Sequence, residues 1–243
     1  MKVSIVIPAH NEKERIGRTL TQYCRFFLKN KTGLDTTFLV VLNGCTDNTI
    51  DIVKEKQKEF SNIEILDLKQ AGKGLAVTTG FKESLKQDYD LIGFVDADMA
   101  TEPQYFYELI ENIDNYDVIF ASRYMKKSKI SPARPWYKRW GRELIFNPLV
   151  RLLIGINFRD FQCGAKLFKR HVLEKIVPEI TMKDWAFDVE LLYLSKKHGF
   201  SLYEHPTVWY DQAGSKFEVI KAGSKMLGSI IKIRWNHLRF EKK

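Results

Sequence analysis

Two carboxylates two residues apart, Asp96 and Asp98, close an apolar run at residues 91–95 (LIGFV). Such a run reads as a strand buried on both faces of a parallel sheet. Carboxylates at the rim of a core repel each other and lose hydration. A divalent cation removes both penalties, and hard oxygen ligands suit Mg²⁺ or Mn²⁺. In an open α/β sheet, ligands bind outside the carboxyl ends of the strands. The pair therefore reads as a metal site able to carry a diphosphate. A strand-to-helix turn with an aspartate cap is the alternative, because D-x-D also arises by chance. Pro103 opens a new helix just beyond, where its missing N–H does no harm.

Two cationic features belong with this pair. Gly72-Lys73-Gly74 stands at a predicted helix start, where backbone N–H groups and an ammonium can meet an anion. It lacks the second half of a Walker A loop, and a surface lysine at a helix start would look the same. Arg123 follows a predicted strand at residues 117–122 (DVIFAS), a position suited to bidentate phosphate contact or to a solvated arginine.

The elements that must position these groups alternate. Residues 3–7, 38–42, 63–68 and 91–95 read as strands, the third edge-like. Between them, helical patterns cover residues 12–28, the stretch from Asp47 to residue 59, and the stretch after Lys73 to residue 85. Asp47 is placed to cap the second helix, and Gly44 permits a turn with positive φ. This order implies right-handed crossovers and a mainly parallel sheet with helices on both faces. No G-x-G-x-x-G follows the first strand, which argues against a dinucleotide fold.

The chain of 243 residues suits one α/β domain with a short extension. Its net charge of +9 calls for an anionic partner. No nucleic-acid signature accompanies that charge, so nucleotide phosphates or an anionic membrane surface are expected instead. Three scattered cysteines fit small buried residues in a reducing compartment, and five scattered histidines argue against a histidine metal site. No leader-like segment and no apolar run of about 20 residues is present, so a cytoplasmic chain, soluble or peripheral at a membrane, is expected.

Two segments carry amphipathic patterns. In residues 132–156, Arg139, Glu143, Asn147 and Arg151 recur every four residues against a wide apolar face, with Trp136, Tyr137 and Trp140 at its edge. Pro148 is expected to split the segment into two short helices. The pattern suits a helix lying in a membrane interface, with Lys138, Arg139 and Arg142 meeting lipid phosphates, and it equally suits a helix packed on the core. Residues 217–239 read as a final basic helix with Val219, Ile220, Met226, Leu227, Ile230 and Leu238 on one face, open to the same two readings.

The chain resembles the family 2 glycosyltransferases of GT-A fold. The resemblance rests on VSIVIPAHNE at residues 3–12, NGCTDNT at 43–49, and the D-x-D at Asp96 and Asp98. It narrows at DFQCGAKLF (160–168), WAFDVELLY (185–193) and W-x-x-x-x-G-S-K (209–216), which are similar to the dolichyl-phosphate glucosyltransferases; the mannose synthases are close cousins. The resemblance implies an α/β nucleotide-diphospho-sugar transferase fold. A catalytic domain would occupy residues 1–215, including the 132–156 interface segment, and a basic amphipathic helix residues 216–243.

It also implies roles. Pro8, Ala9, Asn11, Glu12 and Asn43 would line the base and ribose, and Lys73 would approach the nucleotide. Asp96, Ala97 and Asp98 would hold the diphosphate through Mg²⁺ or Mn²⁺ on the two aspartates. Arg123, Arg139 and Lys216 would manage phosphate charge, Arg139 at the acceptor phosphate. Asp188 matches a region where family members place a catalytic base. A phosphate acceptor is already largely dianionic near neutral pH, so Asp188 is expected to position the sugar or a basic side chain instead.

Four positions depart from the family. Asn43 stands where an aspartate is usual. Ala100 and Glu143 stand where mannose synthases have glutamine and serine. Gln212 stands where their arginine would be, which favours the glucosyltransferase branch. The expected activity is inverting transfer of a hexose, glucose from UDP-glucose, to a polyprenyl (dolichyl) phosphate at the cytoplasmic membrane face. The alternatives are a GDP-mannose-dependent mannose synthase and a non-catalytic nucleotide-sugar-binding adaptor.

Overall fold

The computed structural model describes residues 1–29, 33–132, 147–184, 186–211 and 228–237. Its centre is a seven-stranded sheet. In chain order the strands are β1 (Lys2–Ala9), β2 (Asp35–Asn43), β3 (Ile63–Leu68), β4 (Leu91–Val95), β5 (Val118–Ser122), β7 (Ala165–Lys169) and β8 (Leu202–Pro206). Their spatial order is β3-β2-β1-β4-β7-β5-β8, which confirms β3 as an edge. A separate two-stranded ribbon pairs β6 (Lys129–Ser131) with β9 (Val208–Tyr210).

Four strands, β3, β2, β1 and β4, run parallel, as the strand–helix alternation requires. β7 is the exception. It enters between β4 and β5 and runs antiparallel to both. The segment just before β7 therefore arrives at the carboxyl ends of β4 and β5 together.

Helices cover both faces. α1 (Ile16–Lys29), α2 (Thr49–Glu59) and α4 (Pro103–Glu111) pack on one side with Ile5, Ile7, Val40 and Leu167. On the other lie α3 (Lys73–Leu85), α5 (Asn147–Ile154), α6 (Arg170–Ile176), α7 (Phe187–Lys197) and a helix at residues 228–237, α8, packed on Val6, Val41, Phe94 and Phe120. Successive strand residues go to opposite cores, and β4 and β5 are buried at every position.

Element ends differ from the sequence expectation in particular places. α1 begins at Ile16 rather than near residue 12, because residues 12–15 form a turn whose Glu12 carbonyl accepts from Arg15 and Ile16 N–H. Asp47 does serve the start of α2, taking the Thr49 N–H at 3.0 Å. Pro103 stands in the first turn of α4. Pro148 stands at the start of α5 rather than between two described helices, and residues 133–146 lie outside the described residues.

Candidate active site

Asp96 continues directly from β4. Its N–H donates to the Gly164 carbonyl at 2.9 Å, so the loop before β7 lies against it. The contact leaves no space for a side chain: a Cβ on Gly164 would stand 1.8 Å from an Asp96 carboxylate oxygen. Beyond Asp96 the chain turns sharply. Met99 has φ of 60°, unusual for a residue with a side chain, and the Asp98 Oδ1 accepts the Ala100 N–H at 3.0 Å across it. The Ala97 carbonyl accepts from Thr19 of α1 at 2.6 Å, and the Ala100 carbonyl accepts from Tyr210 N of β9 at 2.9 Å. The acidic turn is therefore clamped from three sides.

Burial pushes the Asp98 carboxyl up, the Asp96 charge pushes it further, and the balance stands at about 6. The Ala100 N–H, Arg15 and Lys73 pull the other way without cancelling it. A divalent cation would relieve this strain. Among the described residues no three His, Cys, Asp or Glu side chains gather at one point, so the pair would supply two protein ligands and leave other positions to phosphate and water.

Lys73, the first residue of α3, joins this site. Its Nζ lies 2.8 Å from Asp96 Oδ1 and 3.4 Å from Asp188 Oδ2. Burial alone would lower its pKa; Asp188 and Asp96 outweigh burial and hold the ammonium above its ordinary range. Asp188, in the first turn of α7, is itself covered, and its Oδ1 takes the Nζ of Lys166 at 2.5 Å. The glycines around Lys73 have a second reason to be there. The backbone at residues 182 and 183 crosses the start of α3 so closely that a Cβ on Gly74 would stand 2.8 Å from the Met182 carbonyl. Leu75 N–H donates to the Lys183 carbonyl, so part of the helix start serves the fold rather than an anion.

The residues expected around the base gather at the ends of β1 and β2. Pro8 and Ala9 are buried in β1. Asn11, with φ of 53°, accepts the Thr46 N–H at 2.8 Å. The Glu12 carboxylate holds Arg15 bidentately, at 2.6 and 2.7 Å. Asn43 is buried, donates to the Ala9 carbonyl at 2.9 Å and accepts the Gly72 N–H at 3.1 Å. A carboxylate could accept but not donate, so an amide is the residue type that bridges these two loops.

Arg123 departs from the expected phosphate contact. Its fork is closed on Asp160, Nε to Oδ2 at 2.7 Å and Nη2 to Oδ1 at 2.8 Å, and its guanidinium lies 4.9 Å from the Trp209 ring. Asp160 also takes the Arg123 backbone N–H. The arrangement is buried, so Arg123 joins β5, the loop before β7, and β9 rather than presenting an open fork. Cys163 is a buried thiol pushed up to about 12, by burial first and then by Asp160. Arg139 and Lys216 lie outside the described residues, as do Glu143 and Gln212.

Three residues with clear structural parts carried no individual role in the sequence reading: Asp160, Gly164 and Lys166. For Lys166 a signal existed. A lysine inside the apolar strand AKLFK must find a buried partner if the strand is central.

A mainly parallel sheet with an acidic turn at the end of its central strand, and a cation poised on that turn, defines the GT-A nucleotide-sugar transferases. The likeness to solved structures agrees. The chain matches a glucosyl-3-phosphoglycerate synthase from Mycobacterium tuberculosis, crystallised with Mn²⁺, UDP-glucose and phosphoglyceric acid. The TM-score is 0.72 with 16% identity, over 96% of this chain and 79% of that one. A second structure of that synthase, with Mg²⁺ and UDP, gives 0.70 at 16% identity, over 96% and 77%.

The family model described as "Glycosyl transferase family 2" matches residues 4–177, and the chain belongs to that family. It is a glycosyltransferase. Its curated relatives include the dolichyl-phosphate beta-glucosyltransferase of Dictyostelium discoideum, 33% identical over 97% of this chain and 75% of that protein. The Saccharomyces cerevisiae protein of the same description is 31% identical over the same shares.

Proposed function

We propose that the chain is an inverting transferase that moves a hexose from a nucleotide-diphosphate sugar to a polyprenyl (dolichyl-type) phosphate at the cytoplasmic face of a membrane. UDP-glucose is the donor and Mg²⁺ or Mn²⁺ the metal. The observation that carries this reading is the clamped Asp96–Asp98 turn, with Lys73 on its first carboxylate. The relatives described as dolichyl-phosphate beta-glucosyltransferases support the acceptor class.

In the reaction, an acceptor phosphate oxygen forms a bond to the anomeric carbon as the bond to the donor diphosphate breaks. The diphosphate leaves with the bonding electrons. A divalent cation on Asp96 and Asp98 would offset the charge that the leaving group gains. Lys73 adds a second positive group within reach of that charge. The acceptor needs no deprotonation, and Asp188 is held between two ammonium groups, as a counter-ion would be rather than a base. Arg139 and Lys216 remain the proposed contacts to the acceptor phosphate and the diphosphate. Arg123 supports the site through Asp160.

Membrane attachment is supported by side chains on two helices. α8 turns Ile230 and Ile233 into the core yet leaves Ile231 and Trp235 exposed beside Lys232 and Arg234. On α5, Leu152 is exposed next to Arg151. Apolar tips among basic residues suit an anionic lipid surface. Among the described residues no helix is long and apolar enough to cross a membrane.

The test is turnover of UDP-glucose and of GDP-mannose, with Mg²⁺, Mn²⁺ or EDTA, with and without polyprenyl phosphate in detergent. An organic-extractable glucose product that needs both the lipid and the metal is the expected result. Consumption of GDP-mannose alone would move the chain to the mannose synthases. Transfer to a water-soluble acceptor without lipid would overturn the acceptor assignment.

A further inference from the structure

Lys166 is fully buried on β7 and cannot reach a substrate. Its Nζ meets Asp188 Oδ1 at 2.5 Å and the Cys163 carbonyl at 2.8 Å, and lies 5.3 Å from the centre of the Phe94 ring. Lys73 lies 5.4 Å from the same ring and meets the other oxygen of Asp188, at the longer distance of 3.4 Å. Its shorter contact is to Asp96, which is about a quarter exposed. One buried carboxylate thus has two ammonium partners of different character. Lys166 is locked by a short ion pair, a carbonyl and complete burial. Lys73 is shared between two carboxylates at the edge of the site.

The redundancy has a use. A buried carboxylate that loses its sole cation is left uncompensated, which is strongly unfavourable. If Lys73 were the sole partner of Asp188, movement of Lys73 toward a ligand would bear that cost in full. With Lys166 in place, Asp188 stays paired when Lys73 departs.

We propose that Lys166 is a positioning residue of the transfer reaction: it keeps Asp188 neutralised so that Lys73 can shift from its two carboxylates to the donor diphosphate. The inference rests on the nucleotide-sugar reading above. It assigns Lys166 no contact with substrate; its effect on the donor runs through Asp188 and Lys73.

The consequence is selective for the second phosphate. In Lys166→Met, Asp188 has Lys73 as its remaining ammonium and holds it back. The affinity ratio of UDP to UMP should then fall about tenfold, whereas UMP itself binds as before. A merely structural role would weaken both ligands together and leave the ratio alone. The double variant Lys166→Met/Asp188→Asn removes the holder as well as its counter-ion. Its ratio should return to within about threefold of the native value.

The experiment is calorimetric titration of the full chain and both variants with UDP and UMP, in Mg²⁺ and in EDTA, each checked for folding by circular dichroism. GDP and GMP are used if the native chain takes guanine nucleotides. A native ratio retained in Lys166→Met overturns the role of Lys166 and leaves the donor reading standing. Should that single variant not fold, the double variant decides: a ratio still depressed tenfold overturns the proposal. A native chain that binds neither UDP nor GDP overturns the donor reading and this inference with it.

Discussion

Two buried charge clusters stand at the carboxyl ends of β4 and β5, separated by β7, and they are built to opposite ends. At β5, Arg123 and Asp160 are paired with each other: two side-chain bonds, a backbone bond to the same carboxylate and an aromatic face over the guanidinium. At β4, three carboxylates and two ammonium groups share partners unevenly. Lys73 divides itself between Asp96 and Asp188, and burial with the Asp96 charge holds the Asp98 carboxyl above its ordinary range. The first cluster is committed to its own pair and serves as a fastener. The second is frustrated without one. Charge count alone does not separate fastener from site; the number of competing partners does.

The largest expected break of this contrast is at Asp98. Asp98→Asn should lower transfer by about 10³-fold or more, because it removes a metal ligand. The same change should stabilise the metal-free protein. The folded pKa of about 6 lies above the ordinary aspartate value, so the native state keeps the proton that the unfolded chain releases. Stability of the metal-free protein should therefore fall as pH rises from about 4 to about 6, by on the order of 2 kcal/mol, and level off above. Thermal melts in EDTA across that range check it: Asp98→Asn should lack the slope, and Mg²⁺ should offset it in the native chain.

Asp160→Asn makes the opposite test. Leaving the Arg123 guanidinium buried without its carboxylate should cost about 3–5 kcal/mol in urea unfolding. Folded Asp160→Asn protein should keep the native preference for UDP over UMP. A lost preference would mean that the β5 cluster also takes part in donor binding.

Gly164→Ala should fall between the two. Its Cβ would displace the Asp96 carboxylate, destabilising by about 1–3 kcal/mol and raising the Mg²⁺ concentration needed for half-maximal turnover. A melting temperature lowered with an unchanged Mg²⁺ requirement would refute that coupling.

The smallest effect is expected furthest from either cluster. Ile231→Ser/Trp235→Ser should change stability by less than about 0.5 kcal/mol. It should still reduce co-sedimentation with anionic liposomes several-fold. Unchanged sedimentation would remove α8 from the membrane proposal.

Much of this arrangement was legible in the chain. Alternation of apolar runs with helical patterns gave β1 to β4 and the parallel half of the sheet, and a carboxylate pair after a buried run marked the site. What escaped were the short strands β6, β8 and β9 and, above all, whatever depended on β7. A five-residue strand with lysines at its second and last positions has no clear period, and strand direction is not written in local sequence. Without β7 the Arg123–Asp160 pair, the Gly164 contact and the Lys166–Asp188 pair could not be foreseen, since each joins residues that only the sheet order brings together. The Asn43 amide is a similar case. It stands where the family usually has an aspartate, and its amide bridges Ala9 and Gly72, a use visible only once three loops meet.

The insertion of β7 also bears on how the chain is made. Among the described residues β5 pairs only with β7 and β8, and β4 has β1 on one side and β7 on the other. During synthesis, residues 1–95 can assemble β3-β2-β1-β4 as soon as they emerge. β5 must then wait, without any neighbour in the sheet, until about residue 169 has left the ribosome. Through that interval β4 presents an open edge of unpaired backbone groups beside the acidic turn, a template for wrong pairing with another chain. A nascent chain that has emerged past residue 122 but not yet to residue 169 is therefore the species most in need of a chaperone.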